Sequence, residues 1–577
     1  MNSRWPSPGQ LAFASLLLAL LVGHIVSVYT ENINLDEFVL LARAADTLAT
    51  GQLLSGGRPG LGTLILLPFV RECTDAIAAV RGARLLWVGF TVALVSGLWF
   101  LLSIFLRMSG RRAGGAALGV ALLVFVPAFL RYSIQVRTDQ PAIALGLWGG
   151  VALIASRRSA PWALLAGLSY GVGFLFSQKL IYVAALTALL ALGDLLLRRE
   201  FEFRRELTRL VLCATGGLAV LLAYKALLPL LFEPASLQSV AGGLSTFAYY
   251  RSEIGLFVYV LMLPTLFAHF VLLALLLYAT VSASRRDDTA WRTLAVAWAI
   301  VALGIAVMLF HAGAFPYFWM TLGLFPAAAF AVGLDPIRRS FTRTHVWRVV
   351  GSSVFAFLVM QATLTQAGLL QDTQRIQRDS LAFIDRNFDA GQEGFHPERA
   401  LFCRDTADPF PTFIQGPALR WYWGPERKRL SQELIGEFRR RPVVFMLDSF
   451  RLNWFPPEIQ DFWDSNYQLY YRSVWIPRLK LDGPRGSRES LHVLVPGTYR
   501  WQSGDGRPDL RLAGRLIAKG DSVDLQAGGN DVEFLRNIEA GSLIFDVVEP
   551  PREVEGSFYK LFPFGVLGWE LGAKRRQ

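Results

Sequence analysis

Apolar runs of about 17–25 residues recur through the first two thirds of the chain, each long enough to cross a hydrocarbon layer about 30 Å thick as a helix. They cover 11–29, 84–106, 114–131, 141–156, 161–177, 180–197, 208–231, 257–281, 292–310, 317–334 and 348–368. The run after Pro161 is short and is open to a crossing or a re-entrant reading. Beyond residue 370 the pattern becomes mixed, charged and aromatic, with no further span. "RKRLSQELIGEFRR" has helical spacing and is followed by "RPVVFMLDSF", a strand-like apolar run between turn residues. Together these predict an α/β region over 371–484. From 485 to 577, short alternating runs such as "LHVLVPGTYRW" and "LRLAGRLIAKG", separated by Gly and Asp, predict a β-rich unit. No internal repeat or low-complexity linker stands out.

The polar residues between the runs orient the chain. With the N-terminus in the cytoplasm, the cytoplasmic connections hold 18 Lys and Arg against 8 on the opposite side. This is the asymmetry expected of a membrane protein with basic loops inside. Eleven spans then put the tail outside, together with the long first loop, residues 30–83. The first run lies close to Met1 and lacks a small-residue cleavage site, which reads as a retained span.

Composition narrows the class further. The chain has 577 residues, 53% hydrophobic and only 18% charged, with mean hydropathy +0.38. Those values exclude an ordinary soluble protein. Its net charge of +12 is explained by the loop asymmetry, so nucleic acid is not an expected partner; membrane lipids are. Cys73 and Cys403 both fall on the outer side, where an oxidising compartment permits a disulfide. Two unrelated free thiols are the alternative.

The candidate chemistry sits at the ends of the spans. "NINLDEFVLLARAADTLATG" carries Phe38, Leu41, Ala45 and Leu48 at helical spacing and stops at Gly51, which predicts a short helix along the membrane surface, with a second such segment over 73–83. Its acid pair, Asp36 and Glu37, has two readings. Asn34 with Glu37 three residues on fits a capping box; a carboxylate just outside a span also suits a general base. "RYSIQVRTDQPAIAL" places Arg137 and Asp139 at an outer span end, where a salt bridge between them is the structural alternative. "SQKL" adds Lys179, which snorkels to headgroups on the plainer reading. "HAGAFPYFW" adds His311 and Tyr317, otherwise members of an aromatic belt. With Arg58, the outer loops thus gather carboxylates and cations suited to an anionic lipid-linked substrate.

The order of one span, then "NINLDEFVLLARAADTLATGQL", "GRPGLGTLILLPF" and "AVRGARLLWVGFTVALV", resembles the N-terminal signature of GT-C glycosyltransferases. Within that superfamily it looks like the branch of the protein O-mannosyltransferases and the lipid A aminoarabinose transferase. "RTDQPAIAL" and "HAGAFPYFW" are similar to the second acidic motif and a late outer-loop motif; the likeness covers about residues 10–335. Phe38 stands where such enzymes commonly have Tyr, and "SGGRPGLG" where they often have consecutive prolines.

The resemblance implies a GT-C-like, multi-span α-helical membrane fold of about 11 helices in a bacterial cytoplasmic (inner) membrane. Residues 1–370 would form the transferase part, with the catalytic loop at 30–83 and an extracytoplasmic α/β plus β tail. It implies transfer of a sugar from a polyprenyl-phosphate donor to an envelope acceptor (lipid, polysaccharide or protein) by inverting displacement. Asp36 and Glu37 match the acidic pair. Arg137, Lys179 and, more loosely, Arg58 would hold the donor phosphate, and His311 and Tyr317 the substrate. Asp139 would orient substrate or hold a divalent metal ion, an optional cofactor. Two other classes remain open on the residues: a transporter or flippase of a lipid-linked or anionic substrate, and a noncatalytic assembly subunit whose β unit binds polysaccharide.

Overall fold

A computed structural model describes residues 8–53, 60–108, 114–198, 202–232, 255–283, 288–310, 316–341, 344–396, 399–404, 424–449, 452, 455–551 and 558. They form two compact units. The first comprises residues 1–31, 43–72 and 78–372; the second comprises 32–42, 73–77 and 373–577.

The first unit is helical: α1 (Pro8–Thr30), the later turns of α2 (Leu35–Thr50), α3 (Leu61–Leu64), α4 (Leu67–Val70), α5 (Ala76–Met108), α6 (Gly114–Val124), α7 (Pro127–Tyr132), α8 (Asp139–Ala155), α9 (Pro161–Phe176), α10 (Leu180–Arg198), α11 (Phe203–Leu231), α12 (Gly255–Ser282), α13 (Asp288–Phe310), α14 (Trp319–Leu322), α15 (Leu324–Ser340) and α16 (Thr344–Leu369). Among the described residues, seven helical stretches are long and apolar enough to cross a membrane, and four shorter apolar helices accompany them. The chain is a helical membrane protein with a sheet-bearing C-terminal part.

Three departures from the sequence pattern have simple causes. The 114–131 run is two helices, because Val126 turns extended (φ −86°, ψ 132°) before Pro127; proline cannot donate a helical hydrogen bond and disfavours α geometry in the residue before it. The segment expected at 73–83 is no separate helix: α5 starts at Ala76, where Asp75 Oδ1 accepts the Ile77 N–H at 2.8 Å. The helix expected on the membrane surface does form and stops at Gly51 (φ +70°). Its first turns, however, are enclosed by protein: Phe38 and Leu41 are fully buried, while Leu48 stays exposed.

Small residues set the helix spacing. α15 runs through the middle of its neighbours with Ala327, Ala328, Ala329 and Ala331 buried. A Cβ on Gly115 or Gly119 of α6 would lie 2.5 Å from the Ala331 carbonyl or 2.9 Å from that of Ala327. α9 and α11 approach equally closely, with Gly167 against the Cys213 carbonyl and Gly216 against that of Leu164. In a hydrocarbon solvent such contacts supply packing energy that the hydrophobic effect between helices cannot.

Polar ties fix both ends of α8, α9 and α10. At one end Ser177 and Lys179 bind Asp139. At the other, Arg157 and Arg198 bind the fully buried Asp194, and Arg209 Nε donates to Ser156 Oγ at 2.7 Å. The 16-residue α9, about 24 Å long, therefore runs from one end of this bundle to the other.

The second unit folds around two sheets. β1 (Gly394–Phe395), β2 (Phe445–Leu447), β4 (Val474–Gly483), β11 (Ile538–Phe545), β6 (Gly497–Trp501) and β9 (Ser522–Leu525) lie in that order, with β3 (Tyr467–Tyr471) also on β4. The second sheet runs β5 (Arg488–Val493), β10 (Gly528–Phe534), β7 (Leu510–Leu512), β8 (Arg515–Ile517). Alternate residues of both sheets, among them Leu479, Leu481, Tyr499, Trp501, Leu512 and Phe534, meet in one sandwich core. Among the described residues the unit also holds the helices α17 (Arg375–Asn387), α18 (Arg427–Arg440) and α19 (Pro457–Asn466).

Candidate functional site

The acid pair belongs to the second unit. Its segment is held there by side chains that bond its backbone: the Asn32 N–H donates to Thr373 Oγ1 at 2.8 Å, and the Gln377 side-chain amide both accepts from the Ile33 N–H (2.8 Å) and donates to the Ile33 carbonyl (3.0 Å). Phe38 packs against Phe402 and Phe558. A disulfide joins Cys73 to Cys403 with Cα atoms 5.2 Å apart, tying segment 73–77 into the same unit.

The pair then divides by role. Asn34 Oδ1 accepts the Asp36 N–H at 3.0 Å, and Glu37 Oε2 accepts the Asn34 N–H at 2.8 Å. This is a reciprocal cap of the kind read from the sequence, and it satisfies donors that the first helical turn leaves open. Glu37 is fully buried in that duty. Asp36, half-buried, enters the cap through its backbone N–H.

The first unit gathers four of the other candidates at one end of its bundle. Asp139 opens α8 and is almost fully buried; a carboxylate in a first helical turn is favoured by the helix dipole. Its Oδ2 receives Lys179 Nζ at 2.6 Å and its Oδ1 receives Ser177 Oγ at 2.9 Å. Asp139 and Lys179 thus form an ion pair at this end of the bundle. Arg137 donates from Nε to Gln135 Oε1 (3.0 Å), while the Trp87 indole holds its carbonyl at 2.6 Å. Its guanidinium lies 4.0 Å from the Tyr317 ring centroid and 5.5 Å from that of Tyr132. Lys179 Nζ is 4.9 Å from the same Tyr317 ring and 5.5 Å from Phe318.

One tyrosine ring thus carries two cations, with one carboxylate between them in charge count. Arg137 is only 8% exposed. Like charges held this close gain from an added anion, and aromatic faces and the Asp139 carboxylate lie against them. Tyr132, Ser177, Gln135 and Trp87 were not singled out in the sequence; the only signals for them were an aromatic and a serine flanking the quoted motifs. Arg58 and His311 lie outside the described residues.

The two oxygens of Asp139 each accept one hydrogen bond, from Lys179 and from Ser177. Among the described residues no group of three or more His, Cys, Asp or Glu is placed to hold a metal ion.

No protein-family model and no curated protein sequence matches the chain. Solved structures do. The fold is that of ArnT from Cupriavidus metallidurans bound to undecaprenyl phosphate, at TM-score 0.50 and 12% identity over 80% of this chain and 97% of that one. The apo state of the same protein aligns at TM-score 0.48 and 12% identity, over 81% and 98%. An Archaeoglobus fulgidus oligosaccharyltransferase in complex with Zn and sulfate aligns at 0.44 and 11%, over 94% and 98%. The similarity to these structures is one of fold.

Proposed function

We propose that this protein is a membrane glycosyltransferase that moves a sugar from a polyprenyl-phosphate donor to an envelope acceptor on the extracytoplasmic face of a bacterial cytoplasmic membrane. The observation that carries the reading is the pair of cations, Arg137 and Lys179, on the single Tyr317 ring. Two cations on one aromatic ring at the end of a helix bundle suit a lipid phosphate whose tail stays among the helices. The shared fold supports the class, and the undecaprenyl phosphate bound to ArnT supports the donor. The basic loops orient the N-terminus inward and the tail outward.

In this reading Asp36 takes the proton from an acceptor hydroxyl as that oxygen attacks the anomeric carbon. The bond from that carbon to the phosphate oxygen breaks through an oxocarbenium-like transition state. Polyprenyl phosphate leaves with the bonding electrons, and Arg137 and Lys179 stabilise its growing charge. Asp139 positions Lys179, and Tyr317 aligns both cations. A single displacement inverts the anomeric centre. No step requires a metal.

Transfer by the reconstituted protein from a panel of polyprenyl-phosphate sugars to crude envelope acceptor tests the reading. Asp36→Asn is expected to lower turnover by roughly 10²–10⁴-fold while the protein stays folded. Wild-type activity in that variant would move the base elsewhere. Absence of transfer by folded wild type from every donor would remove the transferase reading in favour of a transporter or a scaffold.

A further inference from the structure

The end of the helix bundle away from the Asp139–Lys179 pair carries a group of arginines to which the proposed reaction gives no task. Asp194 is shared by Arg157 and Arg198, and Glu206 binds Arg209, which also donates to Ser156 Oγ and the Leu153 carbonyl. These contacts tie the ends of α8, α10 and α11 together. Three neighbours, Arg158, Arg204 and Arg205, stay exposed. Arg205 donates to the Arg157 carbonyl, which sets its guanidinium beside the Arg157–Arg158 peptide. Among the described residues none of these three forms an ion pair, and neither does the exposed Glu202 just before α11.

Their place in α11 adds to the cost. Arg204 and Arg205 lie in its first turn, and its N-cap, Glu202, makes no side-chain cap bond. The dipole and the open N–H groups of a helix start disfavour cations there and favour an anion. Glu206, the acid of that turn, is taken up by Arg209.

α11 also shows what else the ligand must offer. Only 6% of its apolar stretch is buried, the least among the seven described spans, against 78% for the stretch through α14 and α15. Phe203, Leu207 and Leu210 recur at i, i+4 and i+7 and are 66%, 46% and 66% exposed. That spacing makes one apolar stripe, and it starts at the arginines. Trp162 of α9, the helix packed on α11 through Gly167 and Gly216, is exposed as well. A soluble anion uses the arginines alone; a phospholipid uses the arginines and the stripe.

We propose that this end of the bundle binds an anionic phospholipid, with its phosphate on Arg158, Arg204 and Arg205 and an acyl chain along α11. Guanidinium groups suit phosphate by charge and by paired N–H donors, and basic pockets between spans are recurrent headgroup sites. The lipid belongs to the leaflet opposite the one reached by Arg137 and Lys179. It bridges the loop before α9 and the start of α11. Its occupancy is read without any sugar transfer, so this reading and the transferase reading fail separately.

Native mass spectrometry of the full-length, delipidated protein tests the site, with dioctanoyl phosphatidylglycerol as probe and dioctanoyl phosphatidylcholine as the zwitterionic control. One saturable equivalent of phosphatidylglycerol is expected, bound about 10-fold tighter than phosphatidylcholine. Arg158→Gln and Arg205→Gln should each weaken phosphatidylglycerol by about 5-fold and narrow that preference. Arg338→Gln, exposed at the end of α15 far from Tyr317, should change neither lipid, which separates a site from the general attraction of basic loops. Leu210→Gln should weaken both lipids by about 3-fold. Millimolar glycerol 3-phosphate, a headgroup without chains, should leave the lipid bound. Equal affinity for the two lipids, wild-type affinity in both Arg158→Gln and Arg205→Gln, an equal loss in Arg338→Gln, or displacement by glycerol 3-phosphate would each overturn the proposal.

Discussion

At the residue scale, neighbouring carboxylates of one helix turn separate cleanly. Glu37 completes the cap of α2 through the Asn34 N–H, so Glu37→Ala should destabilise the fold by about 0.5–2 kcal/mol, the usual cost of losing a helix cap. Thermal unfolding of Glu37→Ala and Asp36→Asn side by side reads the division: the first should melt lower, and the second should melt with wild type yet lose transfer. A matched drop in melting temperature for both would make the pair one structural unit. Tyr317 poses a parallel question, since its ring faces two cations. Tyr317→Phe keeps that face, whereas Tyr317→Leu forfeits about 0.5–2 kcal/mol of cation–π interaction. Donor KM should therefore rise in the order wild type, Phe, Leu; an equal rise in Phe and Leu would assign the effect to the hydroxyl instead.

At the element scale the decisive feature is backbone-to-backbone approach. A Cβ on Gly167 would lie 1.9 Å from the Cys213 carbonyl of α11, and main-chain atoms cannot swing aside as a side chain can. Gly167→Ala should cost about 1–3 kcal/mol through forced separation of α9 and α11. Gly89→Ala in α5 meets nothing within 4 Å and should be neutral or stabilising by up to about 1 kcal/mol from helix propensity. Unfolding of the two variants in the same detergent compares them directly; equal shifts would mean that the α9–α11 contact is loose. These helices also show what the sequence can reveal. Lipid demands a minimum apolar length, so the spans are legible as runs, and β alternation is legible in the tail because one face of each strand enters the core. The break before Pro127 was hidden because both flanks are equally apolar. Residue pairing was hidden too: Asp139 and Lys179 lie 40 positions apart, and only the antiparallel course of α8, α9 and α10 makes them partners. The acid pair was visible as a motif, but the packing of the adjacent Phe38 against Phe402 and Phe558 depends on a tail more than 360 residues away.

At the scale of the whole molecule, the second unit is assembled from three stretches of chain, 32–42, 73–77 and the tail from 373. Two of them are short and interrupt the span-bearing part, so neither carries enough apolar surface to hold its place alone. Asn32, Ile33 and Phe38 secure the first through hydrogen bonds and ring contacts. The Cys73–Cys403 disulfide secures the second across 330 residues of sequence. A cross-link of such separation restricts the unfolded chain strongly, and losing one typically costs 2–5 kcal/mol in small secreted domains. Cys73→Ser and Cys403→Ser should therefore each lower the melting temperature, and the double variant should melt with the singles, since either change removes the same bond. Reductant should shift wild type down to the level of the variants and leave the variants where they are. If the single substitutions add instead, each thiol contributes by separate packing and the covalent tie is not what holds 73–77 to the tail. If reductant moves the variants as well, some process other than this disulfide is being read. The Asp36 segment provides the functional readout in the same experiment: because it is bound within this unit by its own contacts to Thr373 and Gln377, loss of the disulfide should cost stability first and sugar transfer only as the unit begins to unfold.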